Sequence, residues 1–568
     1  MNRVILAGLL GLLLVAFTIT GQQQTRRPAE IIIHNADSAL GPHAGQPRDL
    51  MRLFGNLKLQ HEDVIMTCDS AHRYADLNII HAFGNVHVNQ GDTLHLYGDR
   101  VNYFGNRRYA EARGNVRLVD NETTLSTENL DFNIQDNYGY FPDRAVVINA
   151  DNRLESIKGY YYTEEKVFFF QDSVHVTNPD YIIRSDALRY NTVTEVAYFL
   201  GPTTITGDET DIYCENGWYN TQTDIAQFNE NARVRNNNQV LMADSIFFDN
   251  RNGLGEAFRN IEIIDTVEQI TIKGNYAWFE REPEQMMITD RALFIQMMNN
   301  DTIYLHADTL RSWLQVVNIP VPDVLEEHPD APDSDTLATS GPDGYLTSSL
   351  HDTLTGPEQS ADTAMIPRAD TLIQQEQVPD TVRILSAYYG VRFFGNDMQG
   401  KSDSLYYNLR DSVIYMFDEP VIWSDGSQLT AEFMEIHSRE GEVDHVIMNR
   451  SAFIISEEQY DMYNQIKGTD IVGFFRDGEL YRVNVSGNAE TLYYPLDNDE
   501  VIGINKIVSA NMVIFLSENK PSRIRWLTSA DATLYPIEKV PEQERILQGF
   551  QWLDNIRPKS WEEVFIKE

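Results

Sequence analysis

A short pattern recurs along this chain about every 29 residues, and this period limits the folds that the chain can adopt. Each copy has a small residue, an acid or amide, a few variable residues and then an aromatic residue. The first eight copies end at Tyr74, Tyr103, Phe132, Tyr161, Tyr190, Tyr219, Phe248 and Phe279. A constant period of this length predicts a repeat protein, in which each unit buries its apolar face against its neighbours.

A second motif follows the same period. Gly-Asn followed by an apolar residue opens strand-like runs at Gly55, Gly84 and Gly114, and later copies lose the Gly-Asn pair. Within the units apolar and polar residues alternate, as in Val86-His87-Val88, which indicates short, half-buried strands joined by turns. We therefore predict an all-β, elongated stack of these units. It is either a rolled antiparallel sheet, that is a β-jellyroll, or a β-solenoid.

The repeats form two blocks that differ in regularity. Residues 30–315 are the first block, and residues 383–540 are a second, less regular block. Between them, residues 320–381 are rich in proline and acids and poor in aromatic residues. Such a segment buries too little apolar surface to offset its ordering entropy, so we predict a disordered acidic linker.

The two ends of the chain have compositions of their own. Residues 1–21 have a basic residue, Arg3, near their start and continue with a short apolar run, which predicts a cleaved secretory signal peptide. A retained N-terminal anchor is the alternative. Residues 541–568 carry apolar side chains at helical spacing between Gln543 and Ile556. We predict a short helical cap over an open end of the sheet, with a docking segment as the alternative.

The chain has two cysteines, Cys68 and Cys214, at the same position of their repeats. Equivalent positions several units apart in a stack do not approach within the roughly 7 Å between Cα atoms that a disulfide requires. We therefore predict two free thiols that act as small, buried core residues.

The composition excludes one class of partner. The chain carries 85 acids and 45 bases, a net charge of −40, and nucleic acid binding requires a basic surface. Hydrophobic residues make up 42% of the chain, which is enough for a substantial core. The composition is typical of a self-repelling secreted protein.

Catalytic and metal-binding patterns are weak in this sequence. An acid recurs in the first motif, at Asp69, Asp99 and Asp244 among others. One carboxylate per unit does not supply the six to eight or so oxygen ligands of Ca²⁺, whereas Asp commonly binds nearby amides in turns. The sequence also lacks a phosphate-binding loop, a serine-hydrolase elbow and paired metal-ligand spacings. We predict no enzymatic activity, no cofactor and no metal site.

The aromatic ends of the units would stack in register along one face. Cross-strand aromatic pairs stabilise sheets, so we predict that these residues pack in the core. A second interpretation is an interior that is open along one side and forms a long apolar groove. Its candidate lining residues are Val86, Val88, Leu96, Val101, Tyr103, Val116, Leu118, Leu130, Phe132 and Val176.

The order of the two motifs after a predicted signal peptide resembles that of a known protein family. Gly84-Asn85-Val86 precedes the run from Gly98 to Tyr103, and Gly114-Asn115-Val116 precedes the run from Thr127 to Phe132. In this order the chain resembles the OstA/LptA family of lipopolysaccharide-transport proteins, over about residues 50–315 and more faintly over 383–535. The resemblance implies a periplasmic β-jellyroll whose groove carries the acyl chains of lipopolysaccharide toward the outer membrane.

The resemblance also implies partners. They are lipopolysaccharide, an inner-membrane extractor, an outer-membrane translocon and, by end-to-end stacking, further copies of the chain. The sequence leaves two other functions open: a structural or adhesive secreted β-solenoid without lipid cargo, and a polysaccharide-cleaving solenoid. A closed, lipid-free core would favour the structural function.

Overall fold

The computed structural model describes residues 29–566, apart from 92, 298–300, 321–376, 440–441, 460, 477, 499, 518–519 and 529. The predicted signal peptide, residues 1–21, lies outside the described residues, as does most of the predicted linker. Over the described ranges the chain forms strands, turns and a few short 3₁₀ turns, without an α-helix. No helical segment of this part of the chain is long and apolar enough to cross a membrane.

The strands follow each other with short connections. Strands β1 to β8 are Ile32–Asn35, Ser38–Leu40, Leu50–His61, Val64–Tyr74, Ile79–Gln90, Leu94–Phe104, Tyr109–Asp120 and Thr123–Asn133. Strands β9 to β12 are Tyr138–Phe141, Ala145–Asn149, Asn152–Ser156 and Lys158–Tyr162. Strands β13 to β22 are Val167–Thr177, Tyr181–Asn191, Val196–Gly207, Thr210–Asn220, Ile225–Asn236, Gln239–Asp249, Leu254–Asp265, Ile270–Arg281, Glu284–Met297 and Thr302–Pro320.

The remaining strands belong to the second block. Strands β23 to β28 are Gln377–Phe394, Met398–Asn408, Val413–Phe417, Val421–Ser424, Ser427–Thr430 and Phe433–Arg439. Strands β29 to β36 are Glu442–Gln459, Met462–Arg476, Glu479–Tyr493, Leu496–Asp497, Glu500–Val501, Gly503–Ser517, Lys520–Trp526 and Asp531–Pro536.

Successive long strands pair antiparallel with each other. Within the described residues, 34 strands form one sheet, and β32 pairs only with β33. A solenoid of β-helix type would place parallel strands side by side, so the antiparallel order selects the β-jellyroll from the two predicted architectures. The prediction of an all-β repeat fold is confirmed.

Alternate long strands of the first block bend at two consecutive residues in the left-handed backbone region, in β3, β5, β7, β13, β17, β19 and β21. In β5 these are Gly84 (φ +73°) and Asn85 (φ +44°), and the pairing with β4 and β6 shifts register there. Such a bulge bends the strand and increases its twist. Glycine adopts a positive φ without steric cost and asparagine tolerates it, which explains the repeated Gly-Asn motif.

The recurring acid of the first motif supports this bend from the neighbouring strand. Asn85 Nδ2 donates to Asp69 Oδ2 at 2.9 Å, and Asn115 Nδ2 donates to Asp99 Oδ2 at 2.8 Å. The acid therefore has a structural role as predicted, but its partner is an asparagine side chain in place of a backbone amide. Bends that have lost the motif, such as Glu230–Asn231, keep two residues with positive φ.

The bends divide the sheet into two half-sheets that face each other. Half-sheet A contains segments such as 86–90 and 94–98, and half-sheet B contains segments such as 79–83 and 100–104. Inward side chains from both, for example Val88 of A and Val101 of B, belong to one hydrophobic core. In the first strands of the block, the hairpin turns at the free ends of A and B contact each other along a line that we call the seam.

Seven of the eight predicted aromatic residues point into the interior from half-sheet B. Tyr74 is the exception, and its predicted place in this column is wrong. It pairs with Leu50 and Ile79 and contacts His81, while Arg73 takes the inward position opposite Ile80. The run from Cys68 to Tyr74 is one residue longer than the run from Gly98 to Tyr103, and a shift of one residue moves a side chain to the other face.

The two repeat blocks are continuous. Strand β22 pairs with β23 from Tyr304 and Phe394 to Pro320 and Gln377, so the sheet passes from one block to the next without a break. Part of the segment assigned to the linker, 377–381, is therefore strand. Residues 321–376, which hold most of that predicted linker, lie outside the described residues.

The predicted helix between Gln543 and Ile556 is wrong. Residues 541–566 form only 3₁₀ turns, at Glu542–Glu544, Asp554–Ile556 and Trp561–Phe565. Pro541 and Pro558 flank the segment, and Gly549 has a φ of +95° within it, which is incompatible with a continuous α-helix. The apolar residues do recur at helical spacing, but backbone N–H and C=O groups of this segment form hydrogen bonds with side chains elsewhere in the chain.

Those partners are buried glutamine side chains of half-sheet A. Gln428 Nε2 donates to Gln551 O at 2.7 Å, and Leu553 N donates to Gln428 Oε1 at 2.7 Å. Gln465 binds Arg545 O and Leu547 N in the same way, at 3.0 and 2.8 Å. The tail therefore crosses the outer face of half-sheet A, where it covers the second block, and does not close an end of the sheet.

Both cysteines are free and buried, as predicted. Burial raises the pKa of Cys68 to about 11 and that of Cys214 to about 12. Because the thiolate is the reactive form, we expect no labelling of the native protein by a thiol reagent such as Ellman's reagent at pH 8. Unfolding in guanidinium should release two thiols per chain, and rapid labelling of either cysteine before unfolding would contradict the packing.

Candidate functional site

One row of inward side chains runs through half-sheet A from β3 to β22, and all its members are apolar. Direct cross-strand pairing connects Leu59, Met66, Val88, Leu96, Leu118, Leu125, Val147, Leu154, Val176, Ile183, Ile205, Ile212, Val234, Leu241, Ile263, Ile272, Phe294 and Leu305. An unbroken apolar row of this length lines the interior from one end of the first block to the other.

Solvent exposure changes along this row, which we call sealed where its side chains are buried and open where they are half-buried. From Leu59 to Ile183 each side chain is at most 5% exposed, and Ile205 is 9% exposed. From Ile212 to Leu305 every member is only half-buried. The interior therefore opens to solvent at β16 and stays open to β22.

The inward aromatic residues of half-sheet B change at the same place. Tyr190 is 4% exposed, whereas Tyr219, Phe248 and Phe279 are half-buried. Two independent rows, one from each half-sheet, thus locate the same transition. A small cleft marks it, lined by Leu154, Val176, Tyr181, Ile183, Tyr190 and Tyr219.

The ten groove candidates of the sequence analysis all point into the interior. Val86, Val88, Leu96, Val101, Tyr103, Val116, Leu118, Leu130, Phe132 and Val176 are each at most 5% exposed. They lie in the sealed part, before β16, and Val176 borders the cleft at the transition. Their contact with a lipid stays a prediction.

The sealed part is held by polar contacts across the seam. The first joins His61 of half-sheet A to Tyr103 of half-sheet B, with 2.6 Å between Nδ1 and the hydroxyl oxygen. His61 Nε2 lies 2.9 Å from Ala29 O, which can only accept, so Nδ1 accepts the tyrosine proton. Arg108 adds ion pairs to Glu62 and, at 2.8 Å, to Asp63 across the same line.

The second seam contact contains a buried charge. Asp120 at the end of β7, with its side chain 2% exposed, accepts from the Tyr161 hydroxyl at 2.5 Å and from Lys166 Nζ at 2.6 Å. Burial and this hydrogen bond raise the pKa of Tyr161, so the hydroxyl remains a donor. A charge-assisted cluster of this kind is among the stronger polar contacts that a protein forms.

Two further contacts continue the seam toward the transition. The Tyr190 hydroxyl donates to Asn149 Oδ1 at 3.3 Å, and the rings of Tyr181 and Tyr219 meet edge to face with 6.0 Å between centroids. Burial raises the pKa of Tyr190 to about 12, so this hydroxyl also stays protonated. The partners across the seam are about 40 residues apart in sequence, which is roughly one and a half units.

The seam contacts end where the groove opens. The next two inward aromatics are Phe248 and Phe279, which have no hydroxyl, and the residue 41 positions before Phe248 is Gly207, which has no side chain to accept. Among the described residues, no hydrogen bond or ion pair links the free ends of the two half-sheets between β17 and β21. Loss of these cross-seam groups accounts for the open part.

The open groove is the interior from β16 to β22. Its base is buried and lined largely by small residues, including Ala243, Ala257 and Ala277. Seven strands at about 4.8 Å spacing give a length of roughly 30 Å. Two exposed cations, Arg251 and Arg281, lie at the free end of half-sheet B beside the groove, and Arg281 donates to Asn250 O at 2.9 Å.

No group of three or more histidine, cysteine, aspartate or glutamate side chains in the described ranges is placed to hold a metal ion.

The functional residues that sequence reasoning missed are the seam residues His61, Asp120, Asn149 and Lys166. Their signal is a polar residue at an inward position at the end of a strand or, for Lys166, directly before one, where the alternation predicts an apolar residue.

The comparison with known proteins finds a family match within the first repeat block. Residues 29–186, 182–244 and 204–284 match the model of the family described as OstA-like protein. A similar solved structure is that of LptH, the LptA homologous periplasmic component of the conserved lipopolysaccharide transport device from Pseudomonas aeruginosa. It is 14% identical, with 24% of this chain and 79% of that chain covered and a TM-score of 0.13. None of the curated proteins compared matches the chain. The resemblance drawn from the two motifs is confirmed for residues 29–284.

Proposed function

We propose that this chain, which is OstA-like over residues 29–284, binds the acyl chains of lipopolysaccharide in its open groove and carries them across the periplasm. The observation that carries the proposal is the change of one continuous apolar row from sealed to half-exposed at β16. A folded protein rarely leaves such a contiguous apolar surface uncovered unless something binds it.

The geometry of the groove suits a linear apolar ligand. Acyl chains have no polar groups to satisfy, so a cleft lined by aliphatic and aromatic side chains is sufficient. Each CH₂ group that leaves water contributes about 0.8 kcal/mol. Similar apolar positions follow one another along the groove, such as Leu241 and Ile263 on neighbouring strands. An acyl chain can therefore shift along the groove in small steps.

The headgroup presents an electrostatic problem, because the protein has a net charge of −40 and the phosphates of lipopolysaccharide are anionic. Arg251 and Arg281 offer a local solution at the rim of the open groove. Guanidinium groups bind phosphate oxygens through paired N–H donors. In the proposed complex the acyl chains lie between the half-sheets, and the phosphates remain outside beside these two arginines.

The proposal extends to place and partners. Export to the periplasm, transfer from an inner-membrane extractor and delivery to an outer-membrane translocon follow from the transport role. Both ends of the described sheet are open edges, β1 and β2 at one end and β35 and β36 at the other. Such edges suit end-to-end stacking with copies or with jellyroll partners. The role requires no catalytic group.

Photo-crosslinking in living cells tests the cargo. A crosslinking amino acid at Leu241, inward in the open groove, should give lipopolysaccharide adducts, whereas the same group at the adjacent outward Met242 should not. Leu130 in the sealed part is the comparison for access to the buried interior. Equal labelling at 241 and 242, or none at 241 in a folded and exported protein, would favour a structural role without lipid.

A further inference from the structure

The outer face of half-sheet B carries a row of large aromatic side chains that the lipid groove does not use. Cross-strand register places in one row, facing away from the interior, Tyr160, Phe169, Tyr198, Trp218, Phe247 and Trp278. Three polar residues complete the row between them, namely Arg189, Gln227 and Glu256. The row runs from β12 to β20.

Nothing in the described part of the chain covers this row. Tyr198 is 39% exposed, and the other five aromatic residues are half-buried, as expected for side chains on a bare sheet face. The corresponding outer row of half-sheet A in the second block gives the contrast. There the C-terminal tail lies on the sheet, and Trp423 and Gln428 are at most 1% exposed.

The composition of the row is that of a protein interface. The centres of such interfaces are enriched in Tyr, Trp, Phe, Met and Arg and depleted in other charged residues. Between β12 and β20 the row has one cation, Arg189, and one acid, Glu256, so it is neutral on a protein whose net charge is −40. Arg189 also lies over the ring of Tyr198, with 5.6 Å from its guanidinium carbon to the ring centroid.

We infer that this row, from Phe169 on β13 to Trp278 on β20, is the contact surface of a homodimer that forms face to face with a second copy of the chain. The pattern of the row is self-complementary about a two-fold axis that runs parallel to the strands, between β16 and β17. Arg189 on β14 then faces Glu256 on β19 of the second copy, and the reverse contact forms by symmetry. Tyr198 on β15 faces Phe247 on β18, and Phe169 on β13 faces Trp278 on β20.

The dimensions suit a specific dimer. The eight neighbouring strands β13 to β20 at about 4.8 Å spacing give a contact about 34 Å long, and packed sheets lie about 10 Å apart. A strip of that length and about 20 Å wide covers on the order of 700 Å² per copy, which is close to the roughly 800 Å² per partner of a standard stable interface. This contact uses a face of the sheet, so it is distinct from end-to-end stacking through strand edges and leaves the seam and the groove free.

Swapping the charges of Arg189 and Glu256 tests the dimer. Dimerisation is measured by sedimentation velocity on the purified exported protein, over a concentration series up to about 100 μM. We expect the unaltered protein to dimerise, and Arg189→Glu or Glu256→Arg alone to weaken the dimer at least tenfold, because each places like charges opposite each other twice. An equimolar mixture of the two variants should dimerise as the unaltered protein does, since both contacts of the mixed dimer then join opposite charges.

The control is Arg233→Glu, an equal charge change at an exposed position on the outer face of half-sheet A, which should leave the dimer unchanged. Circular dichroism of each variant excludes unfolding as the cause. A monomer throughout the series for the unaltered protein would overturn the inference and assign the row to another occupant, such as a different protein or a glycan. A dimer that neither substitution weakens, or that the mixture fails to restore, would overturn it as well.

Discussion

Replacement of Leu241 by aspartate is expected to abolish acyl-chain binding while the protein stays folded. Leu241 is half-buried in the open groove, so a carboxylate there remains hydrated when the groove is empty. An acyl chain would remove that water and leave an unpaired charge in an apolar site. The cost is about 3 kcal/mol or more, which corresponds to over a hundredfold in the dissociation constant.

Met242→Asp is the matched control, since Met242 is the next residue of β18, is also half-buried and faces outward. Binding of fluorescent lipopolysaccharide by the two variants and the unaltered protein measures the effect, with thermal unfolding as the test of folding. Equal affinity of both variants would contradict the assignment of the groove. The same substitution at Leu118 is uninformative, because Leu118 is 2% exposed in the sealed part and aspartate there would disrupt the core.

Replacement of Lys166 by methionine is expected to lower the free energy of unfolding of the sealed part by about 3 kcal/mol. The ammonium group lies 2.6 Å from Asp120 Oδ2, and the Asp120 side chain is 2% exposed. Methionine keeps the length and apolar stem of lysine but leaves the buried carboxylate without its cation. Only the Tyr161 hydroxyl and Asn121 would then donate to Asp120.

The measurement is amide hydrogen exchange of β7, β8 and β13, because local opening in a repeat protein does not require global unfolding. Lys158→Met is the control, since the ion pair of Lys158 with Asp172 is exposed and its loss should change protection little. Asp120→Asn combined with Lys166→Met should recover part of the loss, because the unpaired charge is then absent. Equal effects of Lys166→Met and Lys158→Met would show that the seam cluster does not hold the half-sheets together.

Prediction from sequence succeeded where the cause is local. The first two motifs recur at one period because two consecutive positive φ angles are required in β3, β5 and β7 and the acid of a neighbouring strand binds the asparagine. The prediction that Gly-Asn opens a strand was wrong, since the pair lies inside these strands. Alternation identified the inward face of every strand that carries a groove candidate. It failed at Tyr74, where one extra residue reverses the face, since a motif spacing does not by itself reveal a local insertion.

Prediction from sequence failed in the C-terminal tail for a different reason. Between Gln543 and Ile556 the apolar spacing is helical, but the backbone amides and carbonyls at Arg545, Leu547, Gln551 and Leu553 bind the side chains of Gln465 and Gln428. A buried carboxamide that offers one donor and one acceptor stabilises an extended backbone at least as well as a helix would. No pattern within the tail contains that information, because the partners lie 80 or more residues away.

The sequence by itself determined the repeat, the short alternating strands and the apolar character of the inward rows, since each depends on residues within one unit. Only the tertiary structure decided where the interior is sealed and where it is open. The sealing contacts, such as Asp120 with Tyr161 and Asn149 with Tyr190, join residues about 40 positions apart across the interior. Their presence depends on which side chains meet when the two half-sheets fold toward each other, and the apolar rows on either side are the same in both parts.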